Sequence, residues 1–107
     1  MAAEEIHYKL LRLLQQNPGI SQREAAQELG VSLGKVNYCL RALVRKGWVK
    51  ARNFKNSQNK AGYLYLLTPR GLEEKASLTV RFLGVKMREF EALRSEIEQM
   101  RRESEGG

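Results

Sequence analysis

"ISQREAAQELGVSLGKVNYCLRALVRKGWV", residues 20–49, specifies two helices and the tight turn between them. Ser21 and Glu24 form the S-x-x-E capping box, in which each side chain satisfies the other residue's backbone N–H. Ile20 is placed to staple onto Ala25 at the fourth helical position. Gly30 ends this first helix in the left-handed conformation that a residue without Cβ adopts freely. Ser32 then caps a second helix running to about Lys46, and Gly47 closes it. Two helices joined by so short a turn, with a glycine in it and the small Ala25 and Ala26 on the first, predict a helix-turn-helix.

The second helix has two unlike faces. Val36, Leu40, Leu43 and Val44 share one, with Cys39 at its edge. At 100° per residue the opposite face holds Gly34, Tyr38, Arg41 and Arg45, flanked by Lys35, Asn37 and Ala42. A solvated surface helix ordinarily mixes glutamate with lysine, whereas this face has no acid. It reads as a nucleic-acid recognition helix whose exposed surface begins at Ser32. Arg41 suits guanine O6 and N7, and Asn37 suits adenine. Lys35 and Arg45 are expected at phosphates, and Ser21, Gln22 and Arg23 at the start of the preceding helix are further candidate DNA contacts. Gly34 costs helix stability, about 1 kcal/mol against alanine. A close approach of the backbone to DNA accounts for it, and so does simple tolerance.

After Gly47, "WVKAR" (48–52) and "YLYLLT" (63–68) have strand composition and flank the polar "NFKNSQNKAG" (53–62). A hairpin directly behind a recognition helix is the wing of a winged helix. Lys50, Arg52, Lys55, Asn59 and Lys60 are its candidate DNA contacts. Tyr63, Leu64, Tyr65 and Leu66 are all large, so alternation does not reveal which of them face the core. Trp48 reads as a core wedge.

Upstream, Ile6, Leu10, Leu13 and Leu14 line one side of a first helix that "NPG" at 17–19 stops. Charge is distributed unevenly over the chain. Residues 1–68 hold 11 basic and 4 acidic side chains, and residues 69–107 hold 8 of each, so the whole net charge of +7 sits on the first part. No acid lies between Lys35 and Lys60. Such a block is the electrostatic footprint of a polyanion partner, nucleic acid or an anionic membrane.

Several classes are disfavoured. The chain has no Asp, one His and one Cys, so the usual acid–base, nucleophile and metal constellations cannot be assembled, and neither enzyme activity nor a cofactor is expected. His7 has no partner motif and reads as a surface or internally satisfied residue. A lone Cys39 makes no intrachain disulfide and fits a reducing cytoplasm. No apolar run approaches the length of a membrane span, and the acidic start is unlike a signal peptide.

Thr68 and Pro69 supply a cap and a first helical residue, and from there a helical pattern continues to the end. Leu72, Ala76, Thr79, Leu83, Lys86, Phe90, Leu93, Ile97 and Met100 are spaced alternately four and three apart, a heptad seam that is apolar except at Thr79 and Lys86. The seam would run for about 43 Å at 1.5 Å per residue. That exceeds what a small globule covers, and a homodimer is the economical partner. The expected organisation is a mainly α winged helix-turn-helix with a small β-hairpin at 1–68, followed by a long coiled-coil-like dimerisation helix at 69–107.

The order helix, helix-turn-helix, wing, long helix, with "VRKGWV" at 44–49 and "LLTPRG" at 66–71, resembles the MarR family of bacterial transcriptional regulators. More narrowly, the "LTPRGLEEKASLTVRFL" segment is similar to the short members associated with exopolysaccharide gene clusters. The resemblance implies a cytoplasmic bacterial homodimer on double-stranded DNA, with the recognition helix in the major groove and the wing at the minor groove or backbone. The family's wing often carries an Asp-Arg pair where this chain has Asn59-Lys60. Its larger members add terminal helices and a phenolic-ligand pocket. This chain has one C-terminal helix instead, so no effector is carried over. The function expected is sequence-specific transcriptional regulation, by repression through promoter occlusion. The competing reading is a winged helix used for protein interaction without specific DNA binding.

Overall fold

The computed structural model describes residues 2–55 and 61–106. Its elements are α1 (Ala3–Gln16), α2 (Gln22–Leu29), α3 (Leu33–Arg45), β1 (Val49–Lys55), β2 (Ala61–Leu67) and α4 (Pro69–Glu105). The expected mainly helical winged helix-turn-helix is present, followed by the long C-terminal helix.

Local chemistry sets the boundaries. Both halves of the Ser21–Glu24 capping box are formed, and Ser32 Oγ accepts from the Lys35 N–H at 3.1 Å. Gly30 and Gly47 both adopt left-handed backbone, with φ of 70° and 76°. In each turn the next residue's N–H reaches back into the helix, Val31 to the Ala26 carbonyl (3.1 Å) and Trp48 to the Leu43 carbonyl (3.0 Å). The same helix-ending device thus delivers the chain into α3 and out of it toward the hairpin.

The core forms where α1, α2 and α3 cross. Ile6, Leu10, Leu11 and Leu14 meet Ala25 and Ala26, and Val36, Cys39, Leu40 and Leu43 close over them. Three details differ from the periodicity reading, the first being that Leu11 takes the buried place expected for Leu13, which is only half-buried. Cys39 is 1% exposed and lies inside the core rather than at its edge, while Val44 is 40% exposed and lines the opening between α3 and the hairpin. A helix packed on one side by α1 and α2 and facing a hairpin on another has no single apolar stripe, so the residue at the stripe's margin is displaced.

The hairpin is antiparallel, with Val49 opposite Leu67, Ala51 opposite Tyr65 and Asn53 opposite Tyr63. Val49 is buried, which fixes the phase that the sequence left open. Pleating puts Ala51, Tyr63 and Tyr65 on the α3 side, and Lys50, Arg52, Leu64 and Leu66 on the other. Tyr65 N–H donates to the Pro18 carbonyl at 3.0 Å, tying β2 to the bend after α1.

Thr68 joins hairpin to α4. Its N–H donates to the Trp48 carbonyl (3.0 Å), its hydroxyl donates to the Gly47 carbonyl (2.5 Å) and accepts from the Gly71 N–H (3.0 Å). Over its first turns α4 packs back on α1. Leu78 is buried, Phe82 meets Tyr8 with ring centroids 5.6 Å apart, and Arg81 pairs with Glu4 at 2.7 Å. From Lys86 to Gly106 every residue is exposed, and the molecule extends 67 Å along its longest axis. No described helix is long and apolar enough to cross a membrane.

Candidate nucleic-acid interface

The outward face of α3 carries Lys35, Tyr38, Arg41 and Arg45, all exposed. Ser32 caps the helix they stand on, and the αL turn at Gly30 sets its angle to α2. Among the described residues no ion pair involves Lys35, Arg41, Arg45, Lys50 or Arg52; the three pairs present lie elsewhere, at Lys9–Glu5, Arg81–Glu4 and Lys86–Glu89. These cations have no acid to neutralise them, so their potential is directed outward. Lys46 is different: its ammonium lies 4.8 Å from the centre of the Trp48 ring.

The other expected contact residues divide by what their side chains already do. Asn37 is half-buried, and its amide donates to Gln22 Oε1 at 3.1 Å. Gln22 Nε2 in turn donates to the Tyr65 hydroxyl at 3.2 Å. This chain of hydrogen bonds joins α2, α3 and β2 beside the exposed face of α3. Ser21 and Ser32 use their hydroxyls as caps, accepting from the Glu24 and Lys35 N–H groups. Arg23 is exposed at the start of α2. A Cβ at Gly34 would meet nothing within 4 Å, so no packing inside the chain demands glycine there.

On the hairpin, Lys50 and Arg52 are exposed on the strand face turned away from α3. Asn59 and Lys60 lie outside the described residues, as does the side chain of Lys55. Between α3 and the hairpin runs an open groove of about 890 Å³, lined by Tyr38, Arg41, Val44, Arg45, Tyr63 and Tyr65 among others. Tyr63 and Tyr65 stack at 6.1 Å. The sequence reading missed Tyr63 and Val44 as surface members. Only the burial of Val49, which sets the hairpin's phase, could have located Tyr63.

The two groups with redox or proton chemistry sit in the core. Burial pushes the Cys39 thiol up from its ordinary value, so it stays protonated and unreactive near neutral pH. His7 is 9% exposed, and burial, with the Lys46 charge adding to it, lowers its pKa. Among the described residues no cluster of His, Cys and Glu is placed to hold a metal ion.

Residues 4–50 match the family described as winged helix-turn-helix DNA-binding. Solved structures similar to the chain include the PcaV transcriptional regulator from Streptomyces coelicolor in complex with its natural ligand, with TM-score 0.62 and 25% identity. The fold is that of the MarR regulators. The S. aureus MepR–DNA complex shares this fold at TM-score 0.62 and 21% identity, over 91% of this chain and 73% of that one. So does a MarR transcriptional regulator from Methanosarcina mazei, at TM-score 0.57 and 18% identity, over 77% of this chain and 60% of that one. Against PcaV the alignment takes in 75% of this chain but only 55% of the regulator, so the chain spans little more than half of that protein's length. No curated protein matches the chain by sequence. Within this MarR-type fold, α3 is the second helix of the helix-turn-helix and β1–β2 is the wing.

Proposed function

We propose that the chain is a sequence-specific, double-stranded DNA-binding transcriptional regulator that acts as a homodimer. Residues 1–68 form the DNA-binding unit and residues 69–107 the dimerisation arm. One observation carries the reading: an outward face of α3 whose Lys35, Arg41 and Arg45 are exposed and unpaired among the described residues. Lys50 and Arg52, exposed on the other face of β1, extend the acid-free stretch of sequence into the wing. The recognition helix enters the major groove, where Arg41 reads a base edge and Lys35 and Arg45 hold phosphates. The wing lies at the adjacent minor groove or backbone.

Dimerisation uses the exposed seam from Leu72 to Met100. Two-fold symmetry then requires a palindromic site with half-sites about 34 Å apart. An arm of this kind offers no activation surface, and occlusion of a bacterial promoter in the cytoplasm is the mechanism it serves.

The test is titration of the protein into labelled duplexes, one set from upstream of its own gene cluster and one of random sequence, at several salt concentrations. Affinity for every duplex should fall steeply with salt, because each neutralised phosphate releases counterions. A subset of upstream fragments should bind well above the random background. Binding indifferent to salt, or absent, would mean a winged helix used for protein contacts.

A further inference from the structure

We infer that two copies of α4 pair parallel and in register, placing both DNA-binding units at the same end of a two-stranded coil. The inference rests on the homodimer proposed above and adds its direction. In a heptad written a to g, the seam puts Ala76, Leu83, Phe90 and Ile97 at a, and Leu72, Thr79, Lys86, Leu93 and Met100 at d. Beyond the part of α4 that packs on α1, the flanking g positions are Glu89 and Glu96, and the e positions are Arg94 and Arg101. All four are exposed. Each flank therefore carries one sign.

That pattern separates the two possible alignments. In a parallel pair a g residue faces the e residue of the following heptad on the other helix. Glu89 of each copy then meets Arg94 of the other, and Glu96 meets Arg101. In an antiparallel pair g faces g and e faces e, which sets glutamate against glutamate and arginine against arginine. Lys86, inside the seam, already turns its ammonium to its own Glu89 at 3.3 Å, which keeps the charge at the seam's margin.

A second observation comes from the middle of the helix, where the flank residues Val80, Phe82 and Met87 are not charged. Phe82, at g, is half-buried against Tyr8 of α1, while Val80 and Met87, at e, are 72% and 60% exposed. Between α1 and α4 lies a mostly apolar groove of about 380 Å³ that includes Tyr8, Arg12, Phe82 and Leu83. In a parallel pair the e side of one helix lies against the g side of its mate, so Val80 and Met87 are directed to that groove on the other copy. From residue 80 onward the flanks are apolar through Met87, beside α1, and charged from Glu89 to Arg101. One parallel register accounts for both.

Sedimentation equilibrium on the full chain tests this, with the wild type beside a Glu89→Gln, Glu96→Gln double variant. In the parallel dimer the change removes the cross-helix ion pairs and should raise the dimer dissociation constant about tenfold at low salt. In an antiparallel dimer it relieves glutamate–glutamate repulsion and tightens association. A second measurement uses thiol pairing. Cys39 is buried, so Met100→Cys adds the one accessible thiol. It should form an interchain disulfide under oxidised glutathione much faster than Ser95→Cys, which points away from the seam. A wild-type dimer that tightens in the double variant, or that fails to link through position 100, overturns the parallel arrangement and leaves the homodimer standing. A wild type that stays monomeric at high concentration overturns the homodimer itself.

Discussion

Gly71 in the first turn of α4 lies directly on the backbone of Trp48: a Cβ there would overlap the Trp48 carbonyl oxygen and stand 2.9 Å from its carbonyl carbon. The same oxygen accepts from the Thr68 N–H, so it cannot move aside without breaking the joint between hairpin and helix. Gly71→Ala should therefore destabilise the fold by about 3 kcal/mol, at the upper end of overpacking effects. Thermal unfolding followed by circular dichroism measures it. An unchanged melting temperature would show that the joint yields.

Gly34 gives the contrasting outcome. A Cβ there would meet nothing within 4 Å, so Gly34→Ala should leave stability unchanged or raise it by about 0.5–1 kcal/mol. If the α3 backbone approaches DNA closely at this point, the same variant loses DNA affinity while keeping its stability. Affinity equal to wild type would make Gly34 a merely tolerated residue.

Arg41 and Asn37 should separate in their effects. Arg41→Ala removes an exposed side chain free to reach a base edge, and should cost about 1–3 kcal/mol on the specific site while relaxing preference at one base pair. Asn37→Ala breaks the amide link to Gln22 and should cost about 1 kcal/mol of folding stability. Its effect on binding should be similar across DNA sequences. Equal losses for Arg41→Ala on specific and random duplexes would mark it as a phosphate contact.

His7 makes stability depend on pH in a defined direction. Burial lowers its folded pKa below the ordinary 6.5, so between the two values the unfolded chain binds more protons. Stability from this group is fully present above about pH 6.5 and is lost as pH falls toward the folded pKa. The melting temperature should drop from pH 7.5 to 5.5, and His7→Gln should flatten that dependence. An equally steep fall in the variant would assign the effect to other groups.

Truncation after Met87 keeps Leu78 and Phe82, which pack on the core, and removes Phe90, Leu93, Ile97 and Met100 from the exposed stripe. The shortened chain should stay folded, sediment as a monomer and bind DNA much more weakly. A dimer that survives the cut would place the interface on α1 and the first turns of α4.

Much of the fold was legible because its signals are local. The Ser21–Glu24 box, the Ser32 and Thr68 caps, and the glycines at 30 and 47 act within a few residues, and each appears where the sequence puts it. The spacing of the stripe on α4 needs no knowledge of what lies alongside, and all nine of its residues are exposed. The acid-free, exposed face of α3 was legible as a charge pattern rather than as geometry. The sequence could not show that Asn37 is tied through Gln22 to Tyr65, because that link spans 43 residues of chain from Gln22 to Tyr65.

By itself, then, the sequence determined the helices, their ends, the acid-free face of α3 and the unpartnered stripe of α4, all set by short-range backbone chemistry and periodicity. Only the tertiary structure decided the hairpin's phase, Val44's place on the groove and the need for glycine at 71. Each of those depends on what a residue meets across space: Val49 entering the core, the hairpin opposite α3, and the Trp48 carbonyl under the first turn of α4.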